Sequence, residues 1–245
     1  MILLLGGTTE AKQAANALDD AGIAYIYSTR TEVIFEGKGQ YRYGGLDETA
    51  LKAFCNEHHV SHIIDACHPF AKELHITVAS LSGDVPVIRY ERLFSERIID
   101  PLVYYVNNYE EAIVAINANN YQSMLVLTGV QSIPKLSSYW QIKQCWFRIL
   151  NRDYSIDFAA RYNFPPQNLL FGLPQEKDKE IELFNRLRPE VILTKESGLN
   201  GKLDAKIEAA IACNIPIFII TKPELPASFK ITHTLSELLA MIQHE

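Results

Sequence analysis

The stretch ILLLGGTTEAKQAANAL, residues 2–18, reads as a strand, a tight turn and a helix in immediate succession. Four consecutive aliphatic residues suit a strand covered on both faces. Ala11, Ala14, Ala15 and Leu18 then recur at helical spacing, and the helix is expected to stop at Gly22. A second apolar run, IAYIY at 23–27, completes a β-α-β unit. Working outward, an irregular Gly-rich segment at 36–45 precedes an expected helix over 47–57, and SHIID at 61–65 reads as the next strand. A helix from Pro69 to about Ser82 and a short strand, VPVIR at 85–89, follow. Short apolar strands separated by helices imply a parallel sheet covered on both faces, with ligands beyond the C-terminal strand ends.

Residues 94–103 interrupt this rhythm with a charged, proline-containing passage, after which it restarts. Strands are expected at 103–106, 123–128, 145–150, 168–171, 190–194 and 215–220. Helices are expected at 109–118, 131–139, 175–187, 202–213 and 234–243. The predicted fold class is α/β, with two Rossmann-like, doubly wound domains, mainly parallel sheets and a cleft between them. The expected boundaries are 1–93 and 94–245.

Composition narrows the function classes. Of 245 residues, 48% are hydrophobic and 21% charged, an ordinary globular balance. The net charge of −6 argues against broad nucleic-acid binding. No apolar run approaches the ~20 residues that span a bilayer. The opening MILLL lacks the basic flank of a signal peptide, so a cytoplasmic protein without membrane association is expected. Cys55, Cys67, Cys145 and Cys213 form no C-x-x-C pair and read as reduced thiols. Cys55, His58, His59 and His62 cluster in sequence but match no standard ligand pattern, and no metal is expected. The sequence sets no oligomeric state.

Candidate sites fall at strand ends. Gly6, Gly7, Thr8 and Thr9 open the first helix, where backbone N–H groups attract anions and adjacent glycines admit a phosphate. A tight turn with Thr8 or Thr9 as N-cap explains the same residues equally well. At the end of the second strand, Ser28, Thr29 and Arg30 stand where NAD sites place an acid, a set suited to the 2′-phosphate of NADP. IIDACHPFA, residues 63–71, is again strand, turn and helix, with His68 at the sheet edge and Pro69 as first helical residue. Asp65 is expected to accept backbone hydrogen bonds and Cys67 to be buried.

In the second half, VLTGV (126–130) repeats the strand-to-glycine pattern with Thr128 and Gly129. ILTKESGLNGKLDAK (192–206) places Lys195, Ser197, Lys202 and Lys206 around two glycines, a set suited to a phosphate or carboxylate beside a cation. Tyr139 and Lys143 have the Tyr-x-x-x-Lys spacing of short-chain dehydrogenases, which stands as an alternative.

Together GGTTEA (6–11), STR (28–30), YGG (43–45), DACHPFA (65–71), PVIRYER (86–92), VLTG (126–129) and TKESGLNGKLDAK (194–206) resemble the precorrin-6A reductase family. Order and spacing agree along nearly the full length. The chain departs from the family pattern at Cys67, where Thr is common, at Leu93, where Pro is common, and at Val130, where the segment is more polar. The resemblance implies an NADPH-dependent reductase of corrinoid biosynthesis acting on a tetrapyrrole, precorrin-6A or its cobalt form. It implies catalytic roles for Lys195 and His68, and cofactor contacts from Gly6, Gly7, Thr8, Thr9, Ser28, Thr29, Arg30, Gly44, Gly45, His68, Thr128 and Gly129. Substrate carboxylates would meet Arg89, Arg92, Lys195, Ser197, Lys202 and Lys206, with Arg148 a further cation. A non-enzymatic NADP-sensing module remains the competing class.

Overall fold

The computed structural model describes residues 1–198 and 201–243. The chain divides into two compact units, Met1–Leu93 with Pro223–Glu245, and Phe94–Lys222.

In the first unit, β1 (Ile2–Leu5), β2 (Tyr25–Thr29), β3 (Gln40–Tyr43), β4 (His62–Asp65), β5 (Val87–Tyr90) and β12 (Lys230–Thr232) form one sheet in the order β12-β5-β4-β1-β2-β3. Every pairing in it is parallel. Successive side chains of β1 point to opposite faces. Ile2 and Leu4 therefore join one core, with Ala14 and Leu18 of α1 (Thr9–Asp20) and Leu238 of α9 (Leu235–Gln243). Leu3 and Leu5 join the other, with Leu51 and Cys55 of α2 (Glu48–Glu57) and Val78 of α3 (Lys72–Ala79).

In the second unit, β6 (Val103–Val106), β7 (Ser123–Val126), β8 (Gln144–Ile149), β9 (Leu169–Phe171), β10 (Val191–Lys195) and β11 (Ile217–Ile220) pair in the order β6-β11-β10-β7-β8-β9, again all parallel. Its longer helices are α4 (Tyr109–Ala118), α6 (Asp153–Arg161), α7 (Lys177–Leu187) and α8 (Leu203–Ala212); α5 (Ser137–Trp140) is a single turn.

Several expectations are corrected. The second domain does not run from 94 to 245, because β12 adds to β5 through Lys230↔Ile88 and Thr232↔Tyr90, and α9 packs on the first core. The irregular segment at 36–45 contains β3, and α6 lies where no helix was expected. The helix expected at 131–139 is broken into two 3-10 turns and α5, with Pro134 opening the second turn. The helix expected from Pro69 begins at Lys72, since His68 to Ala71 form a turn closed by Ala71 N–H donating to the His68 carbonyl at 2.8 Å.

Candidate active site

In each sheet the strand order reverses beside a central strand, and crevices for ligands open at that reversal. In the first sheet the reversal lies between β1 and β4, so the turns after Leu5 and Asp65 are neighbours. Thr8 ties them together: its Oγ1 donates to the Ala66 carbonyl at 2.6 Å and accepts from Ala11 N–H at 3.1 Å as the N-cap of α1. A Cβ on Gly6 would lie 2.4 Å from the Tyr27 ring, so any larger residue would have to push that buried ring aside. Gly7 has φ +103° and nothing within 4 Å of where its Cβ would be, leaving open space above the turn. Its N–H donates to the Tyr27 hydroxyl at 3.0 Å. Glu10, buried in the first turn of α1, would oppose an anion there, but Arg92 pairs with it at 2.8 Å.

Below the second turn lies a buried charge network. Asp65, fully buried, meets Arg89 Nη1 at 3.0 Å and His75 Nε2 at 3.4 Å, and its Oδ1 accepts the Cys67 N–H at 3.0 Å. Arg89, 1% exposed, also meets Glu91 at 3.1 Å. Burial, opposed by Asp65, lowers the His75 pKa, so the imidazole is neutral at physiological pH. His68 itself is exposed at the rim, where its Nδ1 accepts the Phe70 N–H at 3.1 Å.

At the end of β2, Ser28 and Thr29 are buried whereas Arg30 is exposed. Thr29 Oγ1 donates to the Thr31 carbonyl at 2.7 Å. The cation beside Ser28 is Arg42 of β3, whose Nη1 donates to Ser28 Oγ at 2.6 Å and whose Nη2 donates to the Gly44 carbonyl at 2.8 Å. Gly45 follows on the surface.

In the second sheet the reversal lies between β7 and β10, and the turns after them carry Thr128 with Gly129 and Lys195 with Ser197. Thr128 Oγ1 and Ser132 Oγ are 2.5 Å apart. Tyr109, largely buried, lies under two cations: Lys135 Nζ is 5.1 Å and Lys195 Nζ 5.6 Å from its ring centroid. Burial lowers the Lys195 pKa to about 8. Lys206 on α8 is 3% exposed, and burial, then the nearby Arg148 charge, lowers its pKa to about 8. Arg148 pairs with buried Glu180 at 2.8 Å, and Lys202 pairs with Glu176.

The structure therefore gathers Gly6, Gly7, Thr8, Thr9 and His68 around one reversal point, and Thr128, Gly129, Lys195 and Ser197 around the other. Arg89, Arg92 and Arg148 are held in ion pairs within the fold. The Tyr139 hydroxyl donates to the Tyr121 carbonyl at 3.0 Å, and Lys143 Nζ donates to that same oxygen at 2.9 Å. Tyr139 is fully buried and burial raises its pKa, so Tyr139→Phe is expected to leave turnover within about twofold of wild type. A steady-state assay showing loss of turnover would restore the short-chain dehydrogenase reading. Sequence reasoning missed Tyr27, Arg42 and Tyr109, which lie outside the glycine and lysine motifs; with β3 unannounced by any apolar run, no sequence signal pointed to Arg42. Among the described residues no three His, Cys, Asp or Glu converge to hold a metal, and no helix is long and apolar enough to cross a membrane.

The family described as Precorrin-6x reductase CbiJ/CobK matches residues 1–243. The chain belongs to this family. A cobalt-precorrin-6A reductase of Priestia megaterium is 28% identical over 236 residues, covering 92% of this chain and 91% of that protein. A precorrin-6A reductase of Rhodococcus erythropolis is 30% identical over 251 residues, covering 98% and 95%. Among solved structures, a CobK precorrin-6A reductase superposes with TM-score 0.78 at 23% identity, covering 99% of this chain and 96% of its own, and so shares the fold. Within this family member the corrected boundary has a plain meaning: the second unit is an insertion between β5 and β12 of the first.

Proposed function

We propose that the chain catalyses NADPH-dependent reduction of the precorrin-6A macrocycle, with or without cobalt, by hydride transfer in cobalamin biosynthesis. The observation that carries the reading is the family match across residues 1–243. The turn after β1 fits a dinucleotide phosphate: a helix N-terminus, open space over Gly7 and a neutralised Glu10 leave it receptive to an anion. When bound, the reduced nicotinamide cofactor supplies the hydride.

The chain's own residues do the rest. Gly6, Gly7, Thr8 and Thr9 orient the phosphates, while exposed His68 offers a hydrogen bond at the same reversal point. Lys195 holds a proton on Nζ at neutral pH and delivers it beside the reduced carbon, and Ser197 assists a substrate carboxylate. The four cysteines are free thiols, in keeping with the reducing cytoplasm.

Incubation with NADPH and either metal-free or cobalt-bearing substrate, followed by mass spectrometry, is expected to give a product heavier by two hydrogens. Retained cofactor binding with no loss of nicotinamide absorbance in either reaction would favour a sensor module instead.

A further inference from the structure

Arg42 is a cation of unusual provision. Its Nη1 donates to Ser28 Oγ at 2.6 Å, and its Nη2 donates to the Tyr43 and Gly44 carbonyls at 3.2 and 2.8 Å. The guanidinium carbon sits 5.4 Å from the centroid of the Phe54 ring. Arg89, Arg92, Arg97 and Arg148 each pair with a carboxylate, yet among the described residues none pairs with Arg42. A half-buried guanidinium fixed by neutral acceptors keeps its full positive charge for an added anion. A guanidinium has five N–H groups, and three acceptors engage it here, so at least two donors remain.

Its place in the fold identifies the anion. Ser28 and Arg42 are register partners across β2 and β3, one strand from the phosphate turn of β1. In dinucleotide folds the end of the second strand receives the adenosine ribose, where an acid selects a free 2′-hydroxyl and an arginine a 2′-phosphate. No acid stands at the end of β2, and Arg30 points into solvent. We infer that Arg42, clamped by Ser28, Tyr43 and Gly44 on the Phe54 ring, binds the cofactor's 2′-phosphate and sets the preference for NADPH over NADH. The inference rests on reading the first unit as the dinucleotide site.

Calorimetric titration with NADP⁺ and NAD⁺ tests it without turnover. Hydrogen bonds to a charged group are each worth roughly tenfold in affinity. Arg42→Met is therefore expected to weaken NADP⁺ binding by about 10- to 100-fold and NAD⁺ binding by less than about threefold. Arg42→Lys, which keeps the charge but loses the fork, should fall between. Thermal melts establish that each variant is folded, and the lysine variant serves if the methionine variant is not. Equal weakening of both nucleotides, or loss of discrimination from Arg30→Ala instead, overturns the assignment while leaving the dinucleotide site standing. A wild-type protein that binds neither nucleotide overturns that reading and the inference with it.

Discussion

Lys195→Met is expected to lower turnover by roughly 10²- to 10⁴-fold while leaving the protein folded, on the proposal that its ammonium delivers the proton accompanying the hydride. The side chain ends β10 beside the reversal point of the second sheet and lies over the Tyr109 ring. Burial lowers its pKa to about 8, which weakens the hold on the proton without emptying the site at neutral pH. Only the protonated form acts as an acid. Wild-type turnover should thus be level below about pH 8 and fall tenfold per unit above it, and the residual activity of the variant should lose that limb. Stopped-flow single turnovers across this range measure the chemical step. A variant that keeps the alkaline limb would place the proton on another group.

Asp65→Ala is expected to reduce stability by about 3–5 kcal/mol, the usual consequence of removing one partner from a buried ion pair. Arg89 is 1% exposed, so the lost carboxylate leaves its charge in the core with Glu91 as the carboxylate opposite among the described residues. The Cys67 N–H also loses its acceptor, loosening the turn that ends at His68. Urea denaturation should show a lower midpoint with an unchanged slope. Adding Arg89→Met should deepen the loss, since buried Glu91 then loses the cation it pairs with. A loss below about 1 kcal/mol would mean that water or His75 replaces the carboxylate.

Much of this fold was legible because both sheets are buried on both faces. ILLL and IFII are unbroken apolar runs, HIID buries Ile63 and Ile64 at its centre, and the helices between the strands bury Ala and Leu at regular spacing, so period alone separates the two element types. The edge strands of the first sheet escaped for the same reason. β3 reads QYRY and β12 reads KIT, short polar strands that carry no apolar run to announce them. Candidate site residues could be read where glycines and lysines sit in motifs at strand ends. The roles of arginines could not, because pairing is decided by residues far apart in sequence: Arg92 meets Glu10, Arg148 meets Glu180. Arg30 and Arg42 flank the same strand end, and only the register of β3 decides which one turns inward.

The insertion of one unit into the other imposes an order on biosynthesis. β5 emerges from the ribosome with one edge bare, and its partner β12 is translated only after Phe94–Lys222 is complete. At ribosomal elongation rates of roughly 5–20 residues per second the wait between Tyr90 and Lys230 is on the order of ten seconds. The inserted unit is contiguous and can close first; the nascent first unit meanwhile presents an unpaired strand edge to every other nascent chain. Truncation before Lys230 would make that transient exposure permanent, so nonsense mutations between Phe94 and Lys230 should yield aggregation instead of a mildly weakened enzyme.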